Sequence, residues 1–156
     1  MHSSWLLVAY ATIAVGCAES RPPPRTLAAA LEARCRDDPG ATDARIVGSM
    51  NVDQVEPIYA LVRTGRNGME ARLAGARIHL RAIDGVTVES VGHAITCHAA
   101  HEVLGEAGDS CPYYVPGVWV DIDVKQDVMG YDVALRGQDY EEARRILERA
   151  RAFARN

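Results

Sequence analysis

Between Gly92 and His101 the chain reads GHAITCHAAH, which sets His93, His98 and His101 around the thiol of Cys97 within nine residues. Imidazole and thiolate are ligands for zinc, copper and nickel, and a Cys/His pair also has the residue types of a thiol nucleophile and its base. At about 100° per residue of helix, Val88, Val91, Ile95 and Ala99 gather on one apolar face. His93, Cys97 and His101 are spaced i, i+4 and i+8 on nearly the opposite side, with His98 at the edge between them. The core has no use for that stripe, and side chains four apart on a helix can reach one ion. The metal set expected from the sequence is therefore His93, His98, His101 and Cys97, with copper or zinc as the ion; histidines exposed without a ligand, a partner contact and a pH-responsive surface stay open as alternatives.

The spacing matches no C-x-x-C zinc pattern, no HExxH protease motif and no C-x-x-C-H haem attachment. Thiol catalysis lacks a third group to orient the base, and it lacks an oxyanion hole. Asp121 and Asp123 share one face of a strand, where alternating acids serve solubility. The expectation is a protein that is not an enzyme. Cys97 has a competing use in a disulfide with Cys111, because only a helix end and a Gly-rich loop separate the two; closing about 15 residues contributes roughly 3 kcal/mol. Cys35 is then an unpaired thiol or an alternative partner, and His93 and His101 remain as a histidine-only site that His79 or His98 can join.

The elements that must position these residues follow from periodicity. Thr26 to Arg36 is Ala-rich and opens on an N-cap candidate. Residues 53–64 carry Val55, Ile58, Tyr59 and Val62 at helical spacing, with Pro57 early enough to be tolerated, and read as a helix. Residues 77–82 alternate strictly as a half-buried strand, with His79 outward between two arginines. Asp84-Gly85 turns the chain, and Thr87 caps the histidine helix, which runs to about Leu104 before Gly105. Val118 to Val124 and Tyr131 to Leu135 alternate as a β-hairpin, and Asp139-x-x-Glu142 is a capping box for a last helix. In that helix Tyr140, Ala143, Ile146, Leu147, Ala150 and Phe153 form the apolar stripe, while Arg144, Arg145, Glu148 and Arg149 form a solvated back. The fold class expected is α+β: a two-layer sandwich in which helices pack on one face of a small, mostly antiparallel sheet.

Residues 5–15 (WLLVAYATIAV) are one apolar run, too short to span a bilayer as a helix but suited to the h-region of a secretory signal. Ala14-Val15-Gly16-Cys17 resembles the lipobox of bacterial lipoproteins, although Ala14 stands where Leu is usual and Met-His-Ser-Ser carries no Lys or Arg. The resemblance implies cleavage before Cys17, whose thiol would carry diacylglycerol, and Ala18 favours the outer membrane over the inner one. Gly16-Cys17-Ala18 would also support ordinary cleavage after Ala18. The organisation expected is a signal peptide at 1–16, a lipid-anchored, Pro-rich tether at 17–25, an N-terminal helix and linker at 26–45, and an α+β domain at 46–156.

The 156 residues carry a formal net charge of −4, with 17 Lys plus Arg against 21 Asp plus Glu. That balance gives no general electrostatic reason to bind nucleic acid. Leu73-Ala74-Gly75-Ala76, Cys97-His98-x-Ala, Cys111-Pro112 and Ala143-x-x-Ile146-Leu147-x-Arg149-Ala150 together resemble small uncharacterised exported proteins of myxobacteria-like bacteria. That resemblance covers about the last 85 residues; it supports pairing Cys97 with Cys111 and implies no activity. The sequence therefore points to a non-enzymatic protein of the bacterial cell envelope, anchored through Cys17 as an outer-membrane lipoprotein facing the periplasm or exterior, with transition-metal binding on the histidine helix. The alternative is an interaction module for another envelope protein, acting through that helix or the Trp119 face, with a purely structural Cys97–Cys111 disulfide.

Overall fold

The computed structural model describes residues 21–35, 46–47, 50–105 and 111–155. The expected signal peptide, Cys17 and most of the linker lie outside the described residues. Among the described residues the elements are α1 (Pro24–Cys35), β1 (Val52–Thr64), β2 (Gly68–Arg81), α2 (Val88–Leu104), β3 (Asp121–Asp127), β4 (Gly130–Arg136) and α3 (Tyr140–Phe153). None of the helices is long and apolar enough to cross a membrane.

The four strands form one antiparallel sheet in the order β1-β2-β4-β3. Because β4 is antiparallel to both of its neighbours, β2 and β3 run parallel, and α2 carries the chain from one to the other across the sheet. Alternation then sorts the side chains. Ala76, Ile78 and Leu80 of β2 and Tyr131, Val133 and Leu135 of β4 face one core, together with Val91, Ala94, Ile95 and Ala99 of α2 and Ile146, Leu147 and Ala150 of α3. Both helices thus cover the same face, α2 toward β3 and α3 toward β2. The opposite face carries His79, Arg77, Arg81, Asp132 and Lys125, the polar side of a half-solvated antiparallel sheet. This is the α+β architecture that the periodicity predicts, with α1 added against α2.

The helix expected over residues 53–64 is instead strand β1. Its apolar residues fit both periods, since Val55, Pro57, Tyr59 and Leu61 also alternate. Pairing with β2 from Val52↔Leu80 to Thr64↔Gly68 satisfies the backbone groups that a helix would have satisfied internally. Pro57 is tolerated because β1 lies at the sheet edge. Beyond Gly75 the β1–β2 hairpin outruns β4 and continues as a two-stranded ribbon. A register shift between Ile58 and Tyr59 marks the place, and Gly75 there has φ +154°. A Cβ on Gly75 would lie 1.9 Å from the Leu135 carbonyl oxygen, so only glycine permits β4 to approach so closely.

The helix ends follow the sequence signals. Thr87 Oγ1 accepts from Ser90 N at 3.3 Å, and Gly105 closes α2 in the left-handed region at φ 85°. Asp139 accepts from Glu142 N at 2.9 Å, while the Glu142 carboxylate accepts from Gln138 N at 2.8 Å. At α1 the helix starts at Pro24, two residues before the expected Thr26; a proline in the first turn loses no hydrogen bond. The back of α3 does more than face solvent. Arg145 donates to the Pro116 carbonyl at 2.6 Å and Arg149 Nε to the Cys111 carbonyl at 3.1 Å, tying the segment before β3 to the last helix.

Candidate functional site

The expected metal set does not converge. Helix α1 packs along the side of α2 that carries Cys97 and His101, a side the helical wheel left to solvent. Cys97 is bonded to Cys35, not to Cys111, with Cα atoms 5.8 Å apart, and both cysteines are buried. Its sulfur has no thiolate to offer an ion. The correction to the Cys97–Cys111 pairing has a simple cause: the docked α1 brings Cys35 onto the Cys97 face of α2, whereas Cys111 is buried as a free thiol elsewhere on the domain. His93 Nε2 lies 3.5 Å from the Cys97 sulfur, and His101 Nε2 lies 2.5 Å from a Glu32 carboxylate oxygen of α1. His101 therefore helps to seat α1, while His93 rests against the disulfide sulfur on its own helix.

His98 takes another direction. Its Nε2 is 3.5 Å from Glu102 Oε1, one turn further along α2, and ligand atoms of His98, Glu102 and Cys111 all lie within 4.8 Å of one another. Glu102 is 4% exposed and Cys111 is 3% exposed, while His98 keeps an edge to solvent. The segment leading into β3 places the thiol: Arg149 holds the Cys111 carbonyl, and Cys111 Sγ accepts from Tyr113 N at 3.3 Å.

Burial pushes the Cys111 thiol up to about 12, against the Tyr113 N–H that favours the thiolate, and the charge of Glu102 pushes it further up. Burial lowers His98 below the usual histidine value, and the nearby His101 lowers it more. The environment thus favours a neutral imidazole, the form that binds a metal, and a protonated thiol, which an ion would have to displace.

The donor chemistry suits a borderline transition metal. Around a tetrahedral ion with bonds of 2.0–2.3 Å, ligand atoms sit roughly 3.3–3.8 Å apart. Starting within 4.8 Å, the three donors need to close by about 1.5 Å at most, a side-chain adjustment. They would fill three positions and leave one open. On the outer sheet face, ligand atoms of His79, Asp127 and Asp132 also lie within 4.8 Å of one another. There His79 Nδ1 is 2.6 Å from Asp132 and its Nε2 is 3.6 Å from Glu56, so two carboxylates already flank the imidazole.

Of the metal ligands expected from the sequence, only His98 belongs to the three-donor cluster. Glu102 carries a signal that was available: it lies at i+4 from His98, so a helix puts both on one side. Cys111 was visible only as a disulfide partner. Trp119 is half-buried, with the Arg21 guanidinium 6.0 Å from its ring centroid, and so is not an open aromatic face. No protein-family model matches the chain, and no curated protein or solved structure is significantly similar to it.

Proposed function

We propose that the chain is a non-enzymatic envelope protein, lipid-anchored at Cys17, whose domain binds a transition-metal ion through His98, Glu102 and Cys111. The observation that carries the metal reading is the approach of three different donor types within 4.8 Å, two of them buried. Zinc and copper both accept imidazole with thiolate; the carboxylate leans toward zinc. The lipid anchor rests on the Ala14-Val15-Gly16-Cys17 sequence.

Titrating the protein with Zn(II), Co(II) and Cu(II) tests the metal reading. One equivalent should bind, and Co(II) should give a thiolate charge-transfer band that Cys111→Ala abolishes. His98→Ala and Glu102→Gln should weaken binding at least tenfold, whereas His93→Ala and His101→Ala should not. No stoichiometric binding tighter than about 10 μM, a Kd that corresponds to roughly −7 kcal/mol, would refute it. Mass spectrometry of the membrane-extracted protein tests the anchor: a free N-terminus at Glu19 would refute lipidation.

One observation favours a second reading, an interaction module. The ribbon formed by β1 and β2 exposes Tyr59, Leu61 and Met69, and Tyr140 of α3 is exposed too. Tyr59 and Tyr140 line one groove of about 550 Å³ with Leu73 and Leu147. Cross-linking in intact cells, with photoreactive residues placed at Leu61 and Met69, would capture a partner if that reading holds.

A further inference from the structure

A cavity of about 170 Å³ lies between α1, α2 and the segment leading into β3. Leu31 of α1, Ala99 and Val103 of α2, and Tyr114, Val118 and Trp119 supply most of its wall. The recess is partly open to solvent, a surface pocket formed where these three elements meet. Most of its wall is aliphatic or aromatic, so water at the wall finds fewer hydrogen-bond partners than in bulk. Thr96, at the same wall, already spends its hydroxyl on the Gly92 carbonyl at 2.7 Å.

One edge is latched. Arg21, three residues before α1, grips Asp121 through both guanidinium nitrogens, one at 3.1 Å, and lies over the Trp119 ring. Asp121 and Trp119 both line the cavity, so this contact ties the start of α1 to the start of β3 at its rim. The pairing also neutralises Asp121, the acidic group in the wall, which leaves the interior without net charge.

We infer that this cavity is a binding site for a small, neutral, apolar molecule about the size of one aromatic ring, gated by the Arg21–Asp121 pair. The size supports that class, because a closed apolar cavity of roughly 150 Å³ in another protein takes up benzene. Charged ligands are excluded by the cost of leaving water for a wall that cannot pair them. The site is separate from His98, Glu102 and Cys111, none of which lines it.

The test is an NMR titration of the full chain carrying Cys17→Ser, prepared without detergent, with toluene and indole as probes and benzoate and benzylamine as charged controls. Toluene should shift resonances of α1, residues 96–103 and residues 114–122 saturably, with a dissociation constant on the order of 1 mM or tighter. The charged controls should bind at least tenfold more weakly. Val103→Phe and, independently, Leu31→Trp should fill the space and abolish the shifts, while Arg21→Ala should retain binding and speed ligand exchange. Absent or non-saturable shifts, shifts that survive both filling variants, equal binding of benzoate, or Overhauser contacts placing the chain's own residues before Arg21 in the cavity would each overturn the inference.

Discussion

Removing the Cys35–Cys97 bridge is the most direct probe of how α1 is held. The bridge spans a sequence separation of 62 residues, and closing a loop of that length contributes about 4 kcal/mol in the chain-entropy estimate. A Cys97–Cys111 bridge would contribute about 3 kcal/mol by the same estimate, so size alone does not separate the two pairings; the identity of the sensitive cysteine does. The double variant Cys35→Ala/Cys97→Ala prevents re-pairing and removes the bridge whole. With an m-value of about 2 kcal/mol/M, its urea midpoint should fall by about 2 M, while Cys111→Ala keeps the bridge and its share of stability. Because α1 rests mainly on α2, part of the loss should appear as local release: amides of residues 26–35 should exchange faster in the variant than those of β2 and β4. Non-reducing peptide mapping completes the assay. A fragment joining Cys97 to Cys111, or a variant within 1 kcal/mol of the parent by the two-state criterion, would refute the account.

Further outcomes are specific. Gly130→Ala should destabilise by at least about 3 kcal/mol in chemical denaturation, because its Cβ would meet the Leu80 carbonyl oxygen at 2.0 Å. Asp139→Ala removes the N-cap of α3 and should cost about 1 kcal/mol. In the metal-free chain Cys111 should resist alkylation at pH 8 until the protein unfolds, as read by mass spectrometry. Its folded value of about 12 stands above the ordinary 9.0, so between those values the folded chain keeps a proton that the unfolded chain releases. The thiol's contribution is therefore complete below pH 9 and declines as pH rises toward 12, and the difference in stability between parent and Cys111→Ala should shrink over that range.

How much of this was legible in the sequence depended on whether local signals had competitors. In α3 the capping box and a single apolar stripe agree, and α2 has a cap, a period and a terminal glycine that all agree; both were readable. The strand over residues 53–64 was not, because Val55, Ile58, Tyr59 and Val62 satisfy a helical period while Val55, Pro57, Tyr59 and Leu61 satisfy a strand period, and only pairing with β2, the next strand of the hairpin, decides. The site failed for a related reason. The wheel placed Val91, Ile95 and Ala99 correctly toward the sheet, but nothing local says that the Ala-rich α1 returns to cover Cys97 and His101. Once it does, the disulfide changes partner, His101 pairs with Glu32 of α1, and the donors that approach one another are those facing Cys111.

The position of β4 has a consequence for how the chain assembles. It lies between β2 and β3, yet it is the last strand in the sequence. A polypeptide emerging N-terminus first completes β1, β2 and α2 while the inner edge of β2 still has no strand beside it. The core face of that strand, with Ile78 and Leu80, also awaits α3, which follows β4 in the chain. Until residue 130 and its successors arrive, the hairpin presents a template on which another chain's strand can add, so the interval before β4 inserts is the window in which a holding chaperone matters most. The pairing that closes the window runs from Arg81↔Gly130 to Gly75↔Arg136, non-local contacts of the kind that slow folding.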